Sequence, residues 1–212
     1  MPSAAGGQLC NIYLFGSLAV TDANNLARTP RSQKSRALIA MLALSPRGSR
    51  SRVWLRNKLW SDRAEEQASA SLRQALVEIR KALGPAADQL INADKHTISL
   101  DLGRVRVDAL EVLQAFRNPD GGGNTFLPIV TQSEFLEGLD VCDPEFEEWL
   151  TLERQVWRDR LEKARALRDF TPKEERGNGA AHAPSDDSGH GSDSPGAGLL
   201  QAGRVVDAVL QN

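Results

Sequence analysis

Gln67, Ala70, Gln74, Val77 and Lys81 recur at spacings of three and four, so they fall on one side of a helix, and Arg73 and Arg80 flank them. Amide, guanidinium and ammonium groups aligned in this way can donate along a row of oxygen and nitrogen acceptors. Gln74 matches the edge of adenine, and Arg73 or Arg80 matches guanine or a phosphate. Lys81 suits a phosphate, and Ala70 and Val77 are small enough to meet a thymine methyl. Glu66 and Glu78 lie on the same helix and would repel phosphates unless they face cytosine amines or turn away.

Other reactive groups are poorly placed for catalysis. His96, His182 and His190 lack metal-ligand spacing, and a structural zinc site needs clustered Cys or His. Asp143, Glu145, Glu147 and Glu148 form a carboxylate run with no opposing acid, which favours a solvated or Arg-binding face over glycosidase chemistry. Gly121-Gly122-Gly123 lacks the Lys-Ser/Thr of a phosphate loop, and there is no Gly-x-Ser-x-Gly elbow. The expectation is a protein that is not an enzyme and uses no cofactor or metal.

The elements that would position the basic helix can be read from periodicity. Residues 9–20 predict a strand or short hairpin around Gly16. Residues 34–45 predict a helix with Leu38, Met41, Leu42 and Leu44 on its apolar side, stopped by Pro46 and Gly48. Ser51 is placed to cap a short second helix with Val53, Leu55 and Leu59 inward. The third helix, 64–83, has Asp62 as its expected cap, and Gly84-Pro85 ends it. Its apolar face is Ala68, Leu72, Ala75, Leu76, Ile79 and Leu83. Residues 89–101 read as two strands around a turn, with Lys95, His96 and Thr97 at the tip. This order gives a compact three-helix unit with a wing, in which Lys95 and Thr97 join the helix residues as candidate contacts to duplex DNA.

Downstream, residues 108–117 predict an amphipathic helix led by Asp108, with Leu110, Leu113 and Phe116 inward. Residues 144–170 predict a long helix opened by Pro144. Trp149 and Trp157 share one of its faces, which points to core packing, with a partner surface as the alternative. Residues 171–198 are rich in Gly, Ser, Asp and Pro and read as a disordered linker before a short tail, 199–212.

Charge is unevenly spread along these segments. Residues 1–100 hold 14 Lys/Arg against 7 Asp/Glu, and residues 101–170 hold 9 against 15. A basic front and an acidic rear is the pattern of a polyanion-binding unit joined to something else. Two cysteines, Cys10 and Cys142, are too few for a disulfide framework. No apolar run is long enough to span a membrane, and residues 1–7 do not form a secretory signal, so the cytoplasm is expected.

Two sequence stretches carry a family resemblance. Leu59-Trp60-Ser61-Asp62-Arg63, Ala68-Ser69-Ala70-Ser71-Leu72-Arg73-Gln74-Ala75-Leu76 and Ile79-Arg80-Lys81-Ala82-Leu83-Gly84 resemble the winged helix of the Streptomyces antibiotic regulatory protein family. Glu134-Phe135-Leu136-Glu137-Gly138-Leu139, Asp143-Pro144-Glu145-Phe146-Glu147-Glu148-Trp149-Leu150 and Glu153-Arg154 resemble the start of that family's bacterial transcriptional activation domain. The resemblance implies a winged helix-turn-helix over 9–104 followed by a shortened, helical, repeat-like activation domain over 105–170. It implies DNA-dependent transcriptional control, often activation, at promoter repeats filled by two or more protomers. Recognition positions fall on Arg73, Gln74, Val77, Arg80 and Lys81. The loop Trp60, Ser61, Asp62 and Arg63 is similar to one that can face RNA polymerase in the wider group. The chain departs from the pattern at Thr131-Gln132-Ser133, where relatives often carry Tyr-x-Gly. A different reading of the same residues is a protein-interaction module that kept the fold and docks a partner through 108–170.

Overall fold

The structure, a computed structural model, describes residues 7–117 and 133–170. The expected linker 171–198, the tail 199–212, the loop 118–124 and the side chain of Phe116 lie outside the described residues. The chain divides into two compact units, Met1–Asp159 and Arg160–Asn212. In the second, the described residues 160–170 are helical. The core and the candidate site belong to the first.

That unit is mainly helical with two small sheets. Strands β1 (Cys10–Tyr13) and β2 (Ala19–Asp22) pair antiparallel, with Ile12 opposite Val20. Helix α1 (Gln33–Ala43) follows, capped by Ser32, whose hydroxyl accepts from the Ser35 N–H. Every residue from Ala37 to Ala43 is buried, so α1 is the central helix and shows no polar face along that stretch. A 3-10 turn, Pro46–Gly48, leads to β3 (Ser49–Ser51). Gly48 sits at φ +67°, and a Cβ there would lie 2.3 Å from the Leu100 carbonyl oxygen, so only glycine fits.

Helix α2 (Arg52–Leu59) starts at Ser51, which accepts from the Trp54 N–H as expected. Leu55 and Leu59, four apart, form its buried stripe. Val53 was expected inward, but it is 55% exposed. Two residues from Leu55, it falls on the opposite side of the helix.

Helix α3 (Glu65–Leu83) buries the predicted set Ala68, Leu72, Ala75, Leu76, Ile79 and Leu83. Its cap differs from expectation. Ala64 holds the cap position without a side-chain bond. A turn closed by the Arg63 N–H on the Trp60 carbonyl leaves Asp62 two residues short of the cap and exposed. Gly84, at φ +61°, ends the helix.

The short helix α4 (Ala87–Leu90) leads into β4 (Ile91–Ala93), which turns back into β5 (Thr97–Leu100). With β3 they form a sheet of order β3-β5-β4, antiparallel throughout. Strand β6 (Val105–Val107) returns to the first sheet and pairs parallel with β1, giving the order β2-β1-β6.

Helix α5 (Asp108–Arg117) is led by Asp108. Its carboxylate accepts from the Leu14 N–H (2.9 Å), the Phe15 N–H (3.1 Å) and its neighbour Ala109 N–H (2.7 Å). Burial raises the Asp108 pKa, and these three N–H donors oppose the rise. The most buried side chains of α5 are Ala109 and Val112, while the expected Leu110 and Leu113 are half-buried.

Helix α6 (Pro144–Phe170) buries Phe146, Trp149, Leu150 and Trp157. The two tryptophans therefore pack in the core, the first of the two readings.

Residues on the two sides of the expected boundary at 104 and 105 pack against one another. Phe135 and Trp157 stack at 5.1 Å, and Phe15, just past β1, meets both rings edge-on at 5.3 and 6.1 Å. The backbone of Phe15 pairs with that of Phe135. Residues up to Asp159 thus share one hydrophobic core. Among the described residues, no helix is long and apolar enough to cross a membrane.

Candidate nucleic-acid interface

Burial of one face of α3 turns the opposite face outward. Gln67, Ala70, Arg73, Gln74, Val77 and Lys81 are exposed along it, and Arg80 is half-exposed at its edge. Val77 is 57% exposed, an aliphatic side chain left in water in the middle of a row of donors. Two acidic residues had stood against this face. Glu66 is exposed in the first turn of α3, where the helix dipole favours a carboxylate. Glu78 is turned away. Its Oε1 accepts from the Ser32 N–H at 2.8 Å and its Oε2 from the Ser35 hydroxyl at 2.7 Å, at the N-terminus of α1. Burial works against the charged form of Glu78, but the bonds from Ser32 and Ser35 outweigh it and hold the pKa below the usual carboxylate range.

Most basic side chains of residues 9–104 are committed within the protein. Arg28 pairs with Asp22 at 2.9 Å, Arg56 with Glu65 at 2.9 Å, Lys58 with Glu145 at 2.7 Å and Arg104 with Asp101 at 3.4 Å. Lys34 donates to the Leu59 carbonyl and lies against the Trp60 ring; burial lowers its pKa, against the pull of Asp143. Arg36, Arg50, Arg52 and Arg63 each donate to an oxygen of the chain. Among the described residues, Arg73, Gln74, Arg80, Lys81 and Lys95 make no intramolecular side-chain bond. Arg31 and Arg47 share that state, before α1 and in the turn after it. Three of the six uncommitted cations of this stretch therefore stand on the outer side of one helix.

The β4–β5 turn presents Lys95 and His96, both exposed. Its shape comes from Asp94, which accepts from the His96 N–H, the Thr97 N–H and the Thr97 hydroxyl, each at 2.7 Å. The Thr97 hydroxyl and amide, with that of His96, pull the Asp94 pKa down to about 2. Thr97, expected as a contact, is half-buried and its hydroxyl is spent on closing this turn. Arg52 ties the turn to the start of α2, donating its N–H to the His96 carbonyl and its Nε–H to the Asp94 carbonyl.

No protein-family model matches the chain, and no curated protein matches it. Its site rests on its own geometry.

The loop between α2 and α3 splits the expected polymerase-facing residues. Trp60 is 3% exposed and lies in the core, so its ring cannot meet a partner. Ser61 donates its N–H and its hydroxyl to the two oxygens of Asp143, both at 2.8 Å. Asp62 and Arg63 remain on the surface. The roles of Glu78 and Asp143 are not visible in spacing, because each acts on a segment brought close by the fold. The Ser32-x-x-Ser35 pair marks the α1 cap, yet nothing local announces that Glu78 completes it.

Proposed function

We propose that residues 9–104 form a winged helix-turn-helix and that the protein is a sequence-specific, duplex-DNA-binding transcription regulator. The observation that carries this reading is the outer face of α3. Arg73, Gln74 and Lys81 stand there exposed, with Arg80 half-exposed at the edge, around the exposed Val77, and none of the four cationic or amide side chains has a partner among the described residues. A helix supported from behind by two others can lie in a major groove, and these side chains suit base edges and phosphates. The uncommitted Lys95 on the β4–β5 turn suits the neighbouring backbone or minor groove.

The motifs shared with the Streptomyces antibiotic regulatory protein family support the same reading and make activation the favoured outcome. Asp62 and Arg63 are then the residues left to face RNA polymerase. Selection of genomic DNA fragments by purified protein tests the proposal, with an Arg73→Ala/Gln74→Ala variant alongside. One enriched motif, lost in the variant, is the expected result. Recovery of fragments without a shared motif defeats it.

A second reading is a partner-docking module without specific DNA recognition. It draws on Leu152 and Val156, four apart on α6 and 60% and 39% exposed. If no motif is enriched, retention of a partner by the wild-type chain and its loss on Leu152→Asp decide for this alternative.

A further inference from the structure

The α2–α3 loop is held from outside the three-helix unit. Asp143, 1% exposed, stands at the start of α6, far along the chain from Ser61. Its Oδ2 accepts the Ser61 N–H and its Oδ1 accepts the Ser61 hydroxyl. Oδ1 also accepts the Glu145 N–H at 3.1 Å, and the Asp143 carbonyl accepts from Phe146 and Glu147, opening α6. Next to it, Lys58 of α2 reaches Glu145 at 2.7 Å and Glu148 at 3.8 Å, both on the first turns of α6. One buried carboxylate therefore caps α6 and grips the loop that leads into α3.

The local sequence gives that loop little of its own. Ala64 caps α3 with no side-chain bond, and Asp62 contributes none. The one backbone bond across the turn, Arg63 N–H to the Trp60 carbonyl, is 3.2 Å long. A helix start without a capping side chain frays unless its approach is fixed by other contacts. Lys34 on the Leu59 carbonyl and Asp143 on Ser61 hold the loop from either side, beside Arg63 on the Ser71 hydroxyl and Arg56 on Glu65 and Ser69 in the first turns of α3.

We infer that Asp143 is a positioning residue for the proposed DNA reading: it sets the α2–α3 loop and with it the first turn of α3, so α6 is coupled to the recognition helix. The inference rests on the DNA-binding reading for its consequence, but the loop itself can be tested without DNA. The geometry also names the partner chemistry. The two oxygens of one carboxylate take both Ser61 donors and the Glu145 N–H that opens α6.

Asp143→Asn separates the two jobs. Asn is as good a helix cap as Asp, so its one oxygen can serve α6. Its NH2 then faces the Ser61 N–H, donor against donor. Hydrogen exchange on the full chain is the first readout. The Ser61, Arg63 and Ala68 amides are expected to exchange about ten- to a hundredfold faster in the variant, the loss of a charge-assisted bond. The Phe146 and Glu147 amides keep their protection. Ser61→Ala, which removes the hydroxyl alone, gives a smaller increase at the same amides. Unchanged loop exchange overturns the inference, and so does a uniform rise across the whole unit. The second readout is affinity for the motif selected by the wild-type chain. About tenfold weaker binding by Asp143→Asn, with sequence-indifferent binding unchanged, is expected. Equal affinities beside a loosened loop overturn the coupling. A wild-type chain that selects no motif defeats the DNA reading instead, and leaves the exchange experiment to decide whether Asp143 holds the loop.

Discussion

Among the described residues, Arg73, Arg80, Lys81 and Lys95 have no partner, whereas Arg56 and Lys58 do. This contrast predicts which substitutions change the salt dependence of the proposed DNA binding. Each phosphate neutralised by a cation releases counterions, and the logarithm of the affinity falls with the logarithm of salt by about 0.9 per contact. If these four cations meet phosphates, the slope is about −3.6 per protomer. Raising salt about fourfold then weakens binding about 150-fold, of which each contact accounts for a factor of about 3.5. Lys81→Ala should reduce the slope by about 0.9, and Lys95→Ala by a similar amount. Lys58→Ala should leave it nearly unchanged, because Glu145 and Glu148 already neutralise that ammonium. Fluorescence anisotropy of a labelled duplex at several salt concentrations measures each slope. If Lys58→Ala lowers it as much as Lys81→Ala, internal commitment does not decide which cations meet DNA, and the reasoning is wrong.

Other perturbations follow from single contacts. The Asp94 pKa is depressed, so its contribution to the β4–β5 turn is present above the ordinary carboxylate range near about 4 and is lost as the pH falls through about 2. A carboxyl NMR titration should find its midpoint near about 2, and a midpoint near about 4 would mean that Thr97 and His96 do not hold it. Glu78→Ala strips the acceptor from the Ser32 N–H and the buried Ser35 hydroxyl, and should cost about 1–2 kcal/mol in denaturant unfolding; no loss would mean that water replaces the carboxylate freely. Trp157→Ala should cost about 3–5 kcal/mol, since the ring is 1% exposed and stacks on Phe135; a loss below about 1 kcal/mol would show that α6 folds apart from the β1 sheet.

Much of the scaffold was legible because it is governed by near-neighbour rules. The buried set of α3 follows from the 3.6-residue period, and Ser51 caps α2 because a hydroxyl at that position reaches an amide three residues on. The failures share another cause. Val53 is aliphatic but lies on the wrong side of a helix whose stripe is fixed by Leu55 and Leu59. Asp62 looked like a cap because residue type suggested it, while the chain path through Trp60 and Arg63 moved the helix start. Strand β6 was missed because three residues carry too little pattern, and its parallel pairing with β1 joins segments almost a hundred residues apart. Of the candidate contacts, those on α3 are exposed as periodicity required. The Thr97 hydroxyl donates to Asp94 within its own turn, a bond that composition does not reveal.

The acidic rear also takes on a different meaning in three dimensions. A net negative stretch after a basic one suggested a second body with its own task. Instead, Asp143, Glu145 and Glu148 lie against α2 and the loop after it, where they engage Ser61 and Lys58. Within the basic stretch, Glu65 and Asp22 do the same for Arg56 and Arg28, and just beyond it Asp101 does so for Arg104. Cations spread over the whole surface would attract a polyanion in many orientations. Pairing most of those in residues 9–104 leaves, among the described residues, the uncommitted ones on the outer side of α3 and at Lys95, with Arg31 and Arg47 as the remaining exceptions. Under the proposed function, a polyanion would be drawn toward the face that also carries Gln74 and Val77, the side chains suited to tell one base pair from another. The acidic residues would therefore favour specificity by subtraction, disfavouring the orientations in which a duplex cannot be read.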